Sequence, residues 1–180
     1  MTGILKVDQI QNNTGEVAAT IDSAGRILQP TKAAFSVTRH TSTAAYLSGH
    51  ITFDTVTLNR GNCWNGTNTF QAPVAGVYQF NMSGFCAGSS GVIGAGVDFK
   101  GYLQKSQQSN FGDVSGATGH LAQTYHYIQG GNTGYFTITM AATVELAAND
   151  YVRYFVASQY LYANTSANRY SPVFSGFLVG

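Results

Sequence analysis

The chain has 180 residues, 44 % of them hydrophobic, enough for one domain with a core of its own plus a short appendage. Charged residues make up only 9 % and the net charge is +1, against roughly a quarter charged in ordinary soluble proteins. That composition excludes a disordered tail and gives no field to attract nucleic acid or an anionic membrane. Solubility must then rest on Ser, Thr, Asn, Gln and Gly, or on surface covered by partner chains.

Apolar runs are interrupted well before a membrane span is reached, so no membrane insertion is expected. Met1–Asp8 lacks a basic patch followed by an apolar stretch, so no secretory signal is expected either. The two cysteines, Cys63 and Cys86, have no metal-ligand spacing and are too few for a disulfide framework; both are expected as free thiols. With 21 Gly, 11 Tyr and 11 Phe and no sustained helical periodicity, the sequence calls for many strands joined by tight turns.

In chain order, residues 1–30 form a first zone of short apolar clusters: Ile4, Leu5 and Val7, then Ile10, then Ile21 and Ile27. Asn12-Asn13-Thr14-Gly15 separates them, and Asp22-Ser23-Ala24-Gly25 reads as a turn between two very short strands. Such pieces bury too little to stand alone and need a partner.

The second zone, 31–180, is a succession of strands. Phe35 and Val37 alternate with polar neighbours, and Ile51 to Leu58 alternates with one slip, which predicts a bulge or bend. Phe70 to Pro73 leads into a turn closed by Gly76. Tyr78, Phe80, Met82 and Gly84 then line one face of a long strand ending near Cys86. Val97 to Leu103 follows, then a polar stretch from Gln104 to Gly119 that reads as a loop. A strand around Tyr125 and Tyr127 precedes Tyr135–Leu146. Asn149-Asp150 reverses the chain into Tyr151–Val156, and Val173–Val179 closes it. The expected fold is all-β, a roughly ten-stranded sandwich or jelly roll.

Four segments in this order carry a resemblance: Ala34-Phe35-Ser36-Val37; Ile51 to Val56; Phe70-Gln71-Ala72-Pro73-Val74-Ala75-Gly76-Val77-Tyr78-Gln79-Phe80; and Phe174-Ser175-Gly176-Phe177-Leu178-Val179. They resemble the complement-type globular head family, which shares its jelly roll with tumour necrosis factor. The third segment fits that family's Phe-x-Ala-Pro-x-x-Gly-x-Tyr-x-Phe signature. Pro73 and Gly76 set the turn, Tyr78 and Phe80 point to one side, and Gly176 admits a close neighbour to the last strand. The structural signature is therefore Phe35, Phe70, Pro73, Gly76, Tyr78, Phe80, Phe174, Gly176 and Phe177. The stretch from Gly88 to Gly130 departs from the family pattern. The first zone is similar to the opening of structural proteins of marine bacteriophages, where it precedes varied domains on tail fibres and other appendages. Together the resemblances imply a homotrimeric head on the exterior of a phage particle, joined to other virion proteins through residues 1–30 and contacting a host surface glycan or protein.

Catalytic signatures are missing from the sequence. His40, His50, His120 and His126 lie in four separate segments, no nucleophile elbow occurs, and Gly94-x-Gly96 lacks the rest of a nucleotide cradle. Asp98 and Asp113 flank loops without the alternating acids of a calcium loop. No catalytic residue, metal or cofactor is expected, and the chain is not expected to be an enzyme. The candidate binding residues are loop aromatics and amides: Trp64 among Asn62, Asn65 and Asn68, with Tyr160, Tyr162, Asn164 and Tyr170 on the last loop. The same rings also suit packing between subunits or over the barrel end. Two other functions stay open: a capsid decoration or tail adaptor with a purely structural role, and a polysaccharide-degrading enzyme.

Overall fold

A computed structural model of the chain describes residues 6–29, 31–40, 45–87, 95–115, 118–129, 136–163 and 171–179. Contacts divide the chain into two compact units, Met1–Lys32 and Ala33–Gly180. Every regular element among the described residues is a strand.

The first unit is one small antiparallel sheet in the order β1(Gln9–Gln11), β2(Val17–Ile21), β3(Ile27–Leu28). Two turns of one design hold it. Asn12 Oδ1 accepts from the Thr14 and Glu16 N–H groups, at 3.0 and 2.9 Å. Ten residues on, Asp22 Oδ1 accepts from Ala24 and Arg26, at 3.0 and 2.9 Å. A glycine three residues after each acceptor, Gly15 at φ 89° and Gly25 at φ 77°, takes the left-handed position. The backbone and guanidinium of Arg26 hold the Asp22 carboxyl below its ordinary range. This sheet has almost no interior: Ala19 is buried, while Ile10, Ile27 and Leu28 are exposed.

The second unit contains ten strands: β4(Ala34–Thr38), β5(Ala45–His50), β6(Thr55–Arg60), β7(Phe70–Gln71), β8(Gly76–Ala87), β9(Val97–Ser106), β10(His120–Ile128), β11(Phe136–Leu146), β12(Tyr151–Ala163) and β13(Val173–Leu178). One layer runs β6-β4-β13-β8-β11; the other sets β5 and β7 beside β12, then β9 and β10. The far end of β12 also pairs with β8, Tyr160–Tyr162 against Ala87–Phe85, and seams the layers together.

The core lies between the layers and is built by alternation. On β8, Tyr78, Phe80, Met82 and Cys86 are buried while Asn81 and Ser83 face out. Phe35 sits at the centre of an aromatic cluster, with its ring 5.0 Å from Trp64, 5.0 Å from Phe174 and 5.3 Å from Phe70. Such ring pairs each contribute about 0.5–1.5 kcal/mol beyond area burial. The Pro73–Tyr78 signature is a closed unit, because the Tyr78 hydroxyl donates to the Val74 carbonyl at 2.8 Å. Gly176 is needed for close approach: a Cβ there would stand 2.7 Å from both Phe35 Cε1 and Phe80 Cδ1.

Four strand readings change. Ile51–Leu58 is not one strand with a slip: Ile51 and Phe53 are buried but irregular, and β6 starts at Thr55. β5 lies where no strand was expected. β9 runs into the stretch read as loop, as far as Ser106, and β10 starts at His120. β12 continues through Tyr160 and Tyr162, so both belong to a strand.

Candidate functional site

Two surfaces of the second unit carry distinctive chemistry. The first is the outward face of β6-β4-β13-β8-β11. Register sets its rows: Leu58, Ser36, Ser175, Asn81 and Ala141 lie side by side, and next to them Arg60, Ala34, Phe177, Gln79 and Thr143. Small residues dominate. Asn81, Ser83, Thr139, Ala141, Val173 and Ser175 line a hollow of about 340 Å³. Phe177, 46 % exposed, stands two residues from Ser175 as a projecting ring. The formal charges in these rows and the next are Arg60 and Glu145, one on each edge strand.

The second is the outward face of β12-β9-β10. Arg153 on β12 pairs in register with Gln104 on β9, which faces His120 on β10. The Arg153 guanidinium is buried with its carbon 3.8 Å from the Phe111 ring centroid, and its Nε donates to Gln104 Oε1 at 2.9 Å. Gln104 Nε2 lies 3.2 Å from His120 Nε2, and the His120 ring stacks on Tyr102 at 4.1 Å. With its oxygen committed to Arg153, Gln104 turns its N–H groups toward the His120 ring. Burial lowers the Arg153 pKa to about 10. His50 is held low by desolvation and then by the Arg153 charge. Phe111 covers Arg153 from a left-handed backbone, φ 58°. No sequence pattern announced this network, because its members come from three strands and a loop.

The expected binding residues are scattered. Trp64 is not a surface ring: it is 4 % exposed, stacked on Phe35 and edge-on to Phe53. The Asn59 side chain draws it inward, accepting from the Trp64 N–H at 3.0 Å and donating to its carbonyl at 3.2 Å. Tyr162 is also buried, and Tyr160 is half-buried; both rings meet Tyr46 of β5. Asn164 and Tyr170 lie outside the described residues. Among the attachment residues, Ile10 and Ile27 are exposed, Val7 and Ile21 half-buried, and Ile4 and Leu5 lie outside the described residues.

The titratable groups do not converge. Among the described residues no three of His, Cys, Asp and Glu gather as metal ligands. His50 packs on Phe155 and His126 on Phe136. Asp98 pairs with Lys100 at 2.8 Å and receives the Ser158 hydroxyl, while Asp113 receives the Ser106 hydroxyl and the Gln107 N–H. Cys63 and Cys86 are free and buried, and desolvation pushes their thiols up to about 11 and about 12. Neither is a thiolate at neutral pH.

Comparison with known proteins bears on the fold. Residues 34–121 match the C1q domain. No curated protein matches the chain. Among solved structures, the globular domain of zebrafish complement 1qA is similar at 20 % identity and TM-score 0.55, covering 83 % of this chain and 98 % of that one. Eiger TNF from S. frugiperda is similar at 14 % identity and TM-score 0.56, covering 83 % and 94 %. Murine APRIL is similar at 9 % identity and TM-score 0.51, covering 80 % and 98 %. The chain carries a jelly roll of the complement globular-head and tumour-necrosis-factor type.

Proposed function

We propose that the chain is the non-enzymatic, homotrimeric head of a phage tail fibre or other appendage, contacting the host cell surface and held to the particle by its first unit. The observation that carries the trimer is the outward face of β6-β4-β13-β8-β11. It offers a projecting Phe177, a hollow lined mostly by small side chains, and, among the described strand rows, formal charge at the two edge strands. Three copies that turn this face toward a common axis would bury the ring and the hollow against one another, in a closed cyclic arrangement. The low charge of the whole chain agrees with surface covered by partners.

The virion assignment is supported by the order of the first zone, Ile4 to Asn12 followed by Thr20 to Ile27, and by the exposed Ile10, Ile27 and Leu28 of a sheet with almost no interior. A non-enzymatic role is supported by the dispersed histidines and the neutral thiols. An antibody against the purified chain tests the reading on particles released by cells carrying the gene. Label on a projecting appendage, with blocked adsorption, is the expected result. Label on the shell without an effect on adsorption favours the decoration role, and particles without label contradict the virion reading.

A further inference from the structure

A second, smaller cavity of about 130 Å³ opens beside the β6–β7 loop, lined by Asn62, Cys63, Asn65, Thr69, Gln71, Ser109 and Tyr151. None of these side chains is charged. An ion entering would lose its water without a counter-charge, which is strongly unfavourable. Cys63 is a neutral thiol that bonds to the Arg60 carbonyl, so neither a metal nor an electrophile is matched there.

Hydrogen-bond accounting separates scaffold from free valence. Asn65 is occupied: its Oδ1 accepts from the Thr67, Asn68 and Thr69 N–H groups, at 2.9, 3.0 and 3.0 Å. Thr69 donates to Asn68 at 2.8 Å. Gln71 Nε2 is engaged by Asn149 Oδ1 at 3.1 Å and Tyr151 Oη at 3.3 Å. That bond fixes the amide, leaving Gln71 Oε1 as an acceptor and the Tyr151 hydroxyl proton as a donor. Asn62 and Ser109, both exposed, add an amide and a hydroxyl to the lining. The cavity thus presents neutral donors and acceptors beside the ring of Tyr151.

We propose that this cavity binds a single ring of a neutral saccharide, its hydroxyls shared among Gln71, Tyr151, Asn62 and Ser109. Adjacent hydroxyls are both donor and acceptor, as the lining requires, and a sugar ring carries no charge to desolvate. The size fits one edge of the ring rather than the whole of it: about 150 Å³ holds a bare six-membered carbon ring, and at the exposed Asn62 and Ser109 the rest of the sugar stays in solvent. One ring held by so few groups binds with a Kd on the order of millimolar. The inference rests on the surface-contact reading for the glycan's location on a host, so its test uses free sugars and no cells.

Saturation-transfer difference NMR on the full chain, against the methyl glycosides of glucose, galactose, mannose and N-acetylglucosamine, should give saturable transfer from at least one. Tyr151→Phe removes the hydroxyl, a donor to the ligand and an acceptor from Gln71 Nε2, whose amide keeps its 3.1 Å bond to Asn149 Oδ1, and Asn62→Gly removes the amide at a position, φ 53°, that glycine adopts freely. Each should weaken binding by about tenfold, with the melting temperature unchanged. No saturable transfer from any of the four, or transfer that both variants leave intact, overturns the proposal. Sugar binding without cell adsorption would uphold the cavity and count against the host-contact reading. Adsorption without sugar binding would do the reverse.

Discussion

Gly176 shows how tightly single residues are held. A methyl group there meets two core rings at 2.7 Å and the β8 backbone at the Gln79 carbonyl at 3.0 Å, and both rings belong to the packed centre of the sandwich. Gly176→Ala should therefore destabilise by about 1–3 kcal/mol, the range for overpacking, read as a lower urea midpoint with an unchanged slope. An unaltered midpoint would mean the rings move aside freely. The buried thiols give a prediction with a sign. Their folded pKa values, about 11 and about 12, exceed the ordinary 9.0. The stability linked to them is complete below pH 9 and is lost as pH rises from 9 toward those values. Tyr78 and Tyr154, also raised by desolvation, act in the same direction. The urea midpoint should fall between pH 8 and pH 10.5, and fall less in Cys86→Ala; a midpoint that rises over that interval would contradict the burial.

At the level of elements, the bulge in β12 decides what could be read beforehand. Val152, Tyr154 and Val156 point inward, but Gln159 takes φ 58° and beyond it Leu161 and Ala163 are the inward residues. The alternation changes phase, so a pattern counted from Tyr151 ends at Val156 and leaves Tyr160 and Tyr162 looking like loop. β5 was hidden for a related reason, because its pairing with β12 breaks between Val156 and Leu161. Trp64 misled because neighbouring Asn residues mark exposure on average, whereas here Asn59 clamps the Trp64 backbone and the ring fills the core. What the sequence did carry is local: the β8 alternation, the Asp22–Gly25 turn, and the reversal at Asn149-Asp150, where Asn149 takes a left-handed φ of 68°. Gln159→Gly removes a left-handed strain of about 1 kcal/mol and should raise the urea midpoint; a lower midpoint would show that the glutamine side chain holds the bulge.

For the whole molecule, the uncovered face of β6-β4-β13-β8-β11 is the feature on which the proposed trimer rests. A monomer would leave Phe177, Leu58 and Val77 in water above a hollow of about 340 Å³. Phe177→Glu places a charge where a neighbouring copy is expected, and should give a monomer that keeps its β circular dichroism, because this side chain lies outside the core. Retained trimers in that variant would move the interface elsewhere. The most direct measurement is the mass of the unmodified full chain in solution by multi-angle light scattering at micromolar concentration. One chain is 19.2 kDa; a species of three times that mass is expected, and a stable monomer at the same concentration would overturn the trimer.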